Sequence, residues 1–122
     1  MKLIRIINAY MAITKLMERK LNNKLSYALY MLKKEIEPNY EFFSVKEQEL
    51  VTKYGKKGND GSVEWNSDEA KSNFAKERNL LMNMEIDLSV KVRKVTAPDE
   101  IEGVFFEALD GFIEFEVDDD NS

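Results

Sequence analysis

The sequence predicts an α+β fold, a long helical hairpin kinked near Pro38 and packed on a small, mostly antiparallel sheet. Three features predict it. Apolar residues between Leu25 and Tyr54 recur at helical spacing, the run from Gly55 to Ser62 turns the chain, and residues 86 to 92 alternate apolar with polar.

Lys2 to Ile7 is rich in isoleucine and suits a short strand. Asn8 is placed to cap a helix from Ala9 to about Lys20, with Tyr10, Ile13, Met17 and Leu21 on one face. Asn22 and Asn23 break that helix, and a second starts near Lys24. Its stripe of Leu25, Leu29, Leu32, Ile36, Phe43, Leu50 and Tyr54 advances by three, four or seven residues, as a buried helix face must. Pro38 lacks an amide hydrogen and crowds the preceding turn, so it should kink this helix or split it between Glu37 and Asn39.

Three of the five glycines lie between Gly55 and Ser62, and Asn59-Asp60-Gly61 tolerates positive φ, so a turn belongs there. Ser67 then caps a third helix whose buried face is Ala70, Phe74, Leu81 and Met84, antiparallel to the second. Ile86, Leu88, Val90 and Val92 oppose Asp87, Ser89, Lys91 and Arg93, the pattern of a half-buried strand. Pro98 fits a first helical turn, Val104 to Leu109 a short helix, and Phe112 to Val117 a last strand or a helix end. The sheet is then built from the N-terminal, 86–92 and 112–117 segments. Residues 1–117 make one domain, and 118–122 an acidic, frayed tail.

Composition narrows the chemistry. A chain of 122 residues, 43% hydrophobic and 34% charged, buries about two-thirds of its unfolded surface. It has no cysteine, which removes disulfides, thiolate ligands and thiol nucleophiles, and no histidine, which removes Ser-His catalysis and the commonest metal ligand. No apolar run is long enough for a secretory core or a membrane span, so the expected location is the cytoplasm, with no membrane partner.

Net charge is −5, unevenly spread. Residues 1–34 carry eight Lys or Arg against one Glu, whereas residues 98–122 carry ten Asp or Glu and no cation. The two ends should attract each other, within the fold or between subunits; a separate docking surface is the other use of such asymmetry.

The residues Glu49-Leu50-Val51-Thr52-Lys53-Tyr54-Gly55, then Asn59-Asp60-Gly61, a second helix and an acidic-apolar alternation, resemble small uncharacterised phage and prophage proteins of Gram-positive bacteria. The resemblance covers about residues 20 to 95. The chain departs from that pattern in its Gly55-Lys56-Lys57-Gly58 insertion and its aromatic C-terminal third. The resemblance implies a phage or mobile-element source and the interior of a host bacterial cell, and it brings no catalytic residues.

Five site chemistries compete. Lys56 and Lys57 between glycines could contact an anion, although the stretch lacks the order of a phosphate loop and reads first as a solvated turn. Asn59, Asp60 and Glu64, or the aspartates 118 to 120, lack a calcium loop's twelve-residue alternation. The carboxylates Glu100, Glu102, Glu107, Asp110, Glu114 and Glu116 show no acid–base spacing. Arg19, Lys20, Lys24, Lys33 and Lys34 with Tyr10, Tyr27 and Tyr30 could grip a single strand, but overall acidity disfavours a nucleic-acid partner. The fifth is the segment of Phe105, Phe106, Glu107, Asp110, Phe112, Glu114 and Glu116, where apolar anchors rimmed by charge make a protein interface, or else the phenylalanines finish the core.

No catalytic residue, metal or cofactor is expected. The function expected is non-catalytic protein binding, by a host-directed inhibitor acting through its acidic and aromatic surface on a host or phage protein. A homo-oligomeric assembly or virion accessory is the alternative, and a small-ligand or nucleotide sponge using Lys56 and Lys57 is a third. Exposure of the Leu25–Leu50 stripe discriminates, because a stripe covered by the chain's own elements cannot be an assembly seam.

Overall fold

The computed structural model describes residues 1–116, so Val117 and the acidic tail lie outside the described residues. In chain order it holds α1 (Leu3–Leu16), α2 (Asn23–Tyr54), β1 (Gly55–Lys57), β2 (Val63–Trp65), α3 (Asp68–Met82), β3 (Arg93–Thr96), α4 (Gly103–Leu109) and β4 (Ile113–Glu116). The mixed α+β class expected from the sequence is the class found.

The N-terminal segment is the first correction, since the expected strand over residues 2 to 7 is helix from Leu3 onward. Leu3, Ile6, Ile7, Ile13 and Leu16 already stand at helical spacing, and burying them against α2 outweighs the β-propensity of the isoleucines. The strand survives only as a single antiparallel bridge, Lys2 to Glu85. Asn8 is consequently an exposed residue inside α1, not its cap, and Leu16 takes the buried place expected of Met17.

Asn22 caps α2 by accepting a hydrogen bond from the Leu25 amide at 2.8 Å. The helix runs unbroken through Pro38, an exposed position. The carbonyl of Lys34, which loses its amide partner there, sits on the same solvated side, where water can supply the missing bond. Leu25, Leu29, Leu32, Ile36 and Phe43 are all buried, while Leu50 is half-buried. The stripe is therefore core.

At the far end of α2, β1 and β2 form an antiparallel hairpin with Gly55 opposite Trp65. A Cβ at Gly55 would lie 2.7 Å from the Glu64 carbonyl oxygen, so this close pairing depends on glycine. Ser67 caps α3 as expected, accepting from the Ala70 amide at 3.0 Å. The third helix returns along the second, with Leu81 and Met82 against Phe43, Glu77 near Lys53, and Trp65 packed on Phe74 at 4.5 Å between ring centroids.

The second correction concerns the sheet. Residues 86–91 keep the expected alternation, with Ile86, Leu88 and Val90 half-buried against the core and Asp87, Ser89 and Lys91 exposed, but Val92, expected on the buried side, is exposed, and no ladder pairs the segment. Pairing begins one step later. β3 runs parallel to β4, Arg93 opposite Ile113 and Thr96 opposite Glu116. A parallel pair needs a long connection, which α4 and its flanking turns supply, so the strands form one antiparallel and one parallel pair and not the mostly antiparallel sheet expected. Ile113 and Val95 face the core, and Arg93 reaches α2, where its guanidinium meets both oxygens of Glu35 at 2.5 and 3.3 Å.

Candidate partner-binding surface

The C-terminal segment divides sharply by burial. Phe105 and Phe112 are core residues beside Leu109 and Ile113, so neither anchors a partner, which corrects two of the three phenylalanines expected there. Phe106 is 37% exposed and stands edge-on to the half-buried Phe115, with 4.9 Å between ring centroids. Glu107, Asp110, Glu114 and Glu116 are exposed.

Local structure explains this division. In α4, Phe105 and Leu109 are four residues apart and share the inward face, which leaves Phe106 and Glu107 on the outer one. Gly111, at φ +84°, turns the chain into β4, where period two sends Ile113 and Phe115 inward and Glu114 and Glu116 outward. The Arg5 side chain holds this turn by donating to the Asp110 carbonyl and lying over the Phe112 ring.

Beside the corner, α1 and α4 enclose a groove of about 590 Å³. Ala12, Phe105 and Ala108 give it an apolar lining, Arg5, Asn8 and Lys15 flank it from α1, and Glu107 from α4. Met11 and Val104 at its mouth are 51% and 63% exposed. The α1 residues were not legible as site residues, because a strand over residues 2 to 7 scatters a face that a helix from Leu3 assembles.

The predicted attraction between the basic and acidic ends is realised chiefly in one ion pair. Arg19 meets Glu102 at 2.7 and 2.8 Å, which raises the guanidinium's pKa and holds the carboxyl below its usual range. Glu107, Asp110, Glu114 and Glu116 take part in no ion pair among the described residues. Their nearest cations are neighbours without direct pairing: Lys94 stands across the ladder from Glu114, and Arg5 and Lys15 line the groove with Glu107.

The lysine turn is arranged differently. Lys56 and Lys57 are exposed on β1, and Lys56 lies opposite Glu64. The turn between the strands closes on itself: the Gly58 amide donates to the Ser62 carbonyl, the Gly61 amide to the Gly58 carbonyl, and the Ser62 amide and hydroxyl to Asp60. Those two Ser62 bonds lower the Asp60 carboxyl's pKa. Of the basic-aromatic set, Tyr10 stacks on Tyr40 at 4.0 Å, while Tyr27 and Tyr30 are 65% and 45% exposed, with the Lys34 ammonium 4.8 Å from the Tyr30 ring centre.

Among the described residues no group of three or more Asp or Glu could hold a metal ion, and no helix is long and apolar enough to cross a membrane. Comparison of the chain with protein-family models, with curated proteins and with solved structures finds no match.

Proposed function

We propose that this chain is a non-catalytic protein-binding protein of phage or prophage type, a host-directed inhibitor that docks its acidic corner on a basic surface of its partner. One observation carries the reading: four exposed carboxylates, Glu107, Asp110, Glu114 and Glu116, come from one continuous segment and take part in no ion pair among the described residues, and Glu107 lines the α1–α4 groove. A basic partner complements these carboxylates and is steered in its approach by them. Met11 and Val104 at the groove and Phe106 on α4 are exposed and supply apolar contact, as an interface needs beside its charged rim.

Affinity capture of the tagged protein from a bacterial host, paired with its mass in solution, tests this. Stoichiometric capture of one host protein, weakened by added salt and lost in a Glu107→Lys, Glu114→Lys, Glu116→Lys triple variant that still folds, is the expected result. Capture unaffected by that reversal sinks the acidic-corner reading. A stable homo-oligomer would favour the assembly reading, and because the α2 stripe is buried, its contact would have to use another face such as the α1–α4 groove.

A further inference from the structure

We infer that the outer side of the first half of α2 is a platform for single-stranded nucleic acid, holding phosphates by lysine charge and bases by two tyrosine rings. The inference goes beyond the acidic corner, which meets a protein, and does not depend on it.

The charge is segregated. From Arg19 to Lys34 the chain carries five cations and no carboxylate. Arg19 is taken by Glu102, whereas Lys20, Lys24, Lys33 and Lys34 take part in no ion pair among the described residues. Lys33 turns its ammonium to the Tyr10 ring. Lys24, Tyr27, Tyr30 and Lys34 follow one another at steps of three, three and four, so they share the side of α2 away from the buried Leu25, Leu29 and Leu32. Lys20 stands just ahead of that helix and is exposed.

Neighbouring carboxylates border the patch without cancelling it. Glu35, the first along α2, is held by Arg93 at 2.5 and 3.3 Å. Glu37 and Glu41 come one and two turns beyond Lys34 and mark the limit. Screening confines a surface charge to about 8 Å at physiological ionic strength. The net charge of −5 argues against a nucleic-acid partner for the chain as a whole, but the local lysines decide what approaches this face.

The tyrosines select among polyanions. Tyr27 and Tyr30 are exposed, and their side chains leave the helix about 4.5 Å apart along its axis. Every base has a flat face that such a ring can cover, so binding should tolerate sequence. An acidic peptide or an anionic lipid surface brings charge without these faces, and a duplex keeps its bases stacked on one another. The Lys34 ammonium lies 4.8 Å from the Tyr30 ring centre, in reach of the phosphate of a base stacked there.

Fluorescence anisotropy of labelled oligothymidylate and oligouridylate with the full chain tests the platform, beside polyglutamate, a duplex and phosphatidylserine vesicles. At least one single strand should bind about tenfold or more tighter than duplex or polyglutamate, and the better of the two identifies DNA or RNA. With Lys20, Lys24 and Lys34 on phosphates, the logarithm of affinity should fall against that of salt concentration with a slope of about −2. Tyr27→Ala with Tyr30→Ala, verified as folded by circular dichroism, should weaken binding by about tenfold or more, while Tyr27→Phe with Tyr30→Phe retains it. Lys24→Glu with Lys34→Glu should also weaken it. Affinity indifferent to the paired alanine changes, polyglutamate bound as tightly as the oligonucleotides, vesicles bound in preference to them, or no binding at low salt would each overturn the platform. None of these outcomes bears on the acidic corner, which the capture experiment decides separately.

Discussion

The two halves of the long hairpin are held together by different physics. Near the base, α1 and residues 25 to 36 of α2 bury Leu3, Ile6, Ile13, Leu16, Leu25, Leu29, Leu32 and Ile36 almost completely, with α4 and the β3–β4 pair closing over them. Beyond Phe43, the hairpin arm from residue 44 to Met82 buries only Gly55 and Ala70. Its joints are an aromatic contact, Trp65 on Phe74, and two partly exposed ion pairs, Arg78–Glu47 at 2.6 Å and Lys53–Glu77 at 3.4 Å. A buried apolar face makes folding all-or-none, whereas surface pairs hold neighbours in place without binding the unit to the whole. The base should open only with global unfolding, and the arm locally.

The strongest way to break that contrast is at the base. Leu32→Asp places a charge where no solvent reaches and should abolish the folded state, seen as loss of the far-ultraviolet helical signal at room temperature; a folded, dissociated subunit would instead mark the stripe as an assembly seam. Leu29→Ala should cost about 2–5 kcal/mol in chemical denaturation through the cavity it leaves. In the arm, Trp65→Ala should cost about 1–3 kcal/mol and speed amide exchange in β1, β2 and α3 while the α1 amides stay protected. Exchange rising equally in α1 would refute the two-part description.

Smaller effects sharpen it. Ser67→Ala removes the α3 cap and should cost about 1 kcal/mol, confined to the arm. Acid reaches both halves, because Glu102 at the base and Glu77 in the arm each have a lowered pKa, the first through its hydrogen bond from Arg19, the second through the neighbouring Tyr54 hydroxyl and the Lys53 ammonium. A lowered folded pKa gives stability that is present above the usual carboxylate range and lost as pH falls through the folded value. Melting temperature should therefore drop on acidification below about pH 4. Arg19→Met should flatten the base's share of that slope, and Tyr54→Phe the arm's.

The arm was legible because its signals are local. Asn59-Asp60-Gly61 and the Ser67 cap each fix the backbone within a few residues, and each was found where the sequence put it. The base depends on contacts between distant segments. Lys2 to Ile7 has strand composition and helix spacing at once, and only the buried face offered by α2 decides between them. The parallel pairing of β3 with β4 departs from the mostly antiparallel sheet expected, because which strands pair, and in which direction, is decided by contacts between segments far apart in sequence. For the candidate surface, composition showed acidic and aromatic residues together but not which faced outward. Phe105 and Phe112 went to the core and Phe106 stayed out, because of helix phase and the Gly111 turn.

Because α2 is one unbroken helix of 32 residues, the tip of the arm has an adjustable reach. From Ile36 to Tyr54 the axis advances about 27 Å beyond the packed base. Seven residues added to α2 after Phe43, with seven added at the matching level of α3, would extend the arm by about 10 Å and rotate its tip by only about 20°. The acidic corner would not sense the change. Length at one end and recognition at the other are thus separate variables, open to independent tuning by insertion or deletion of whole heptads.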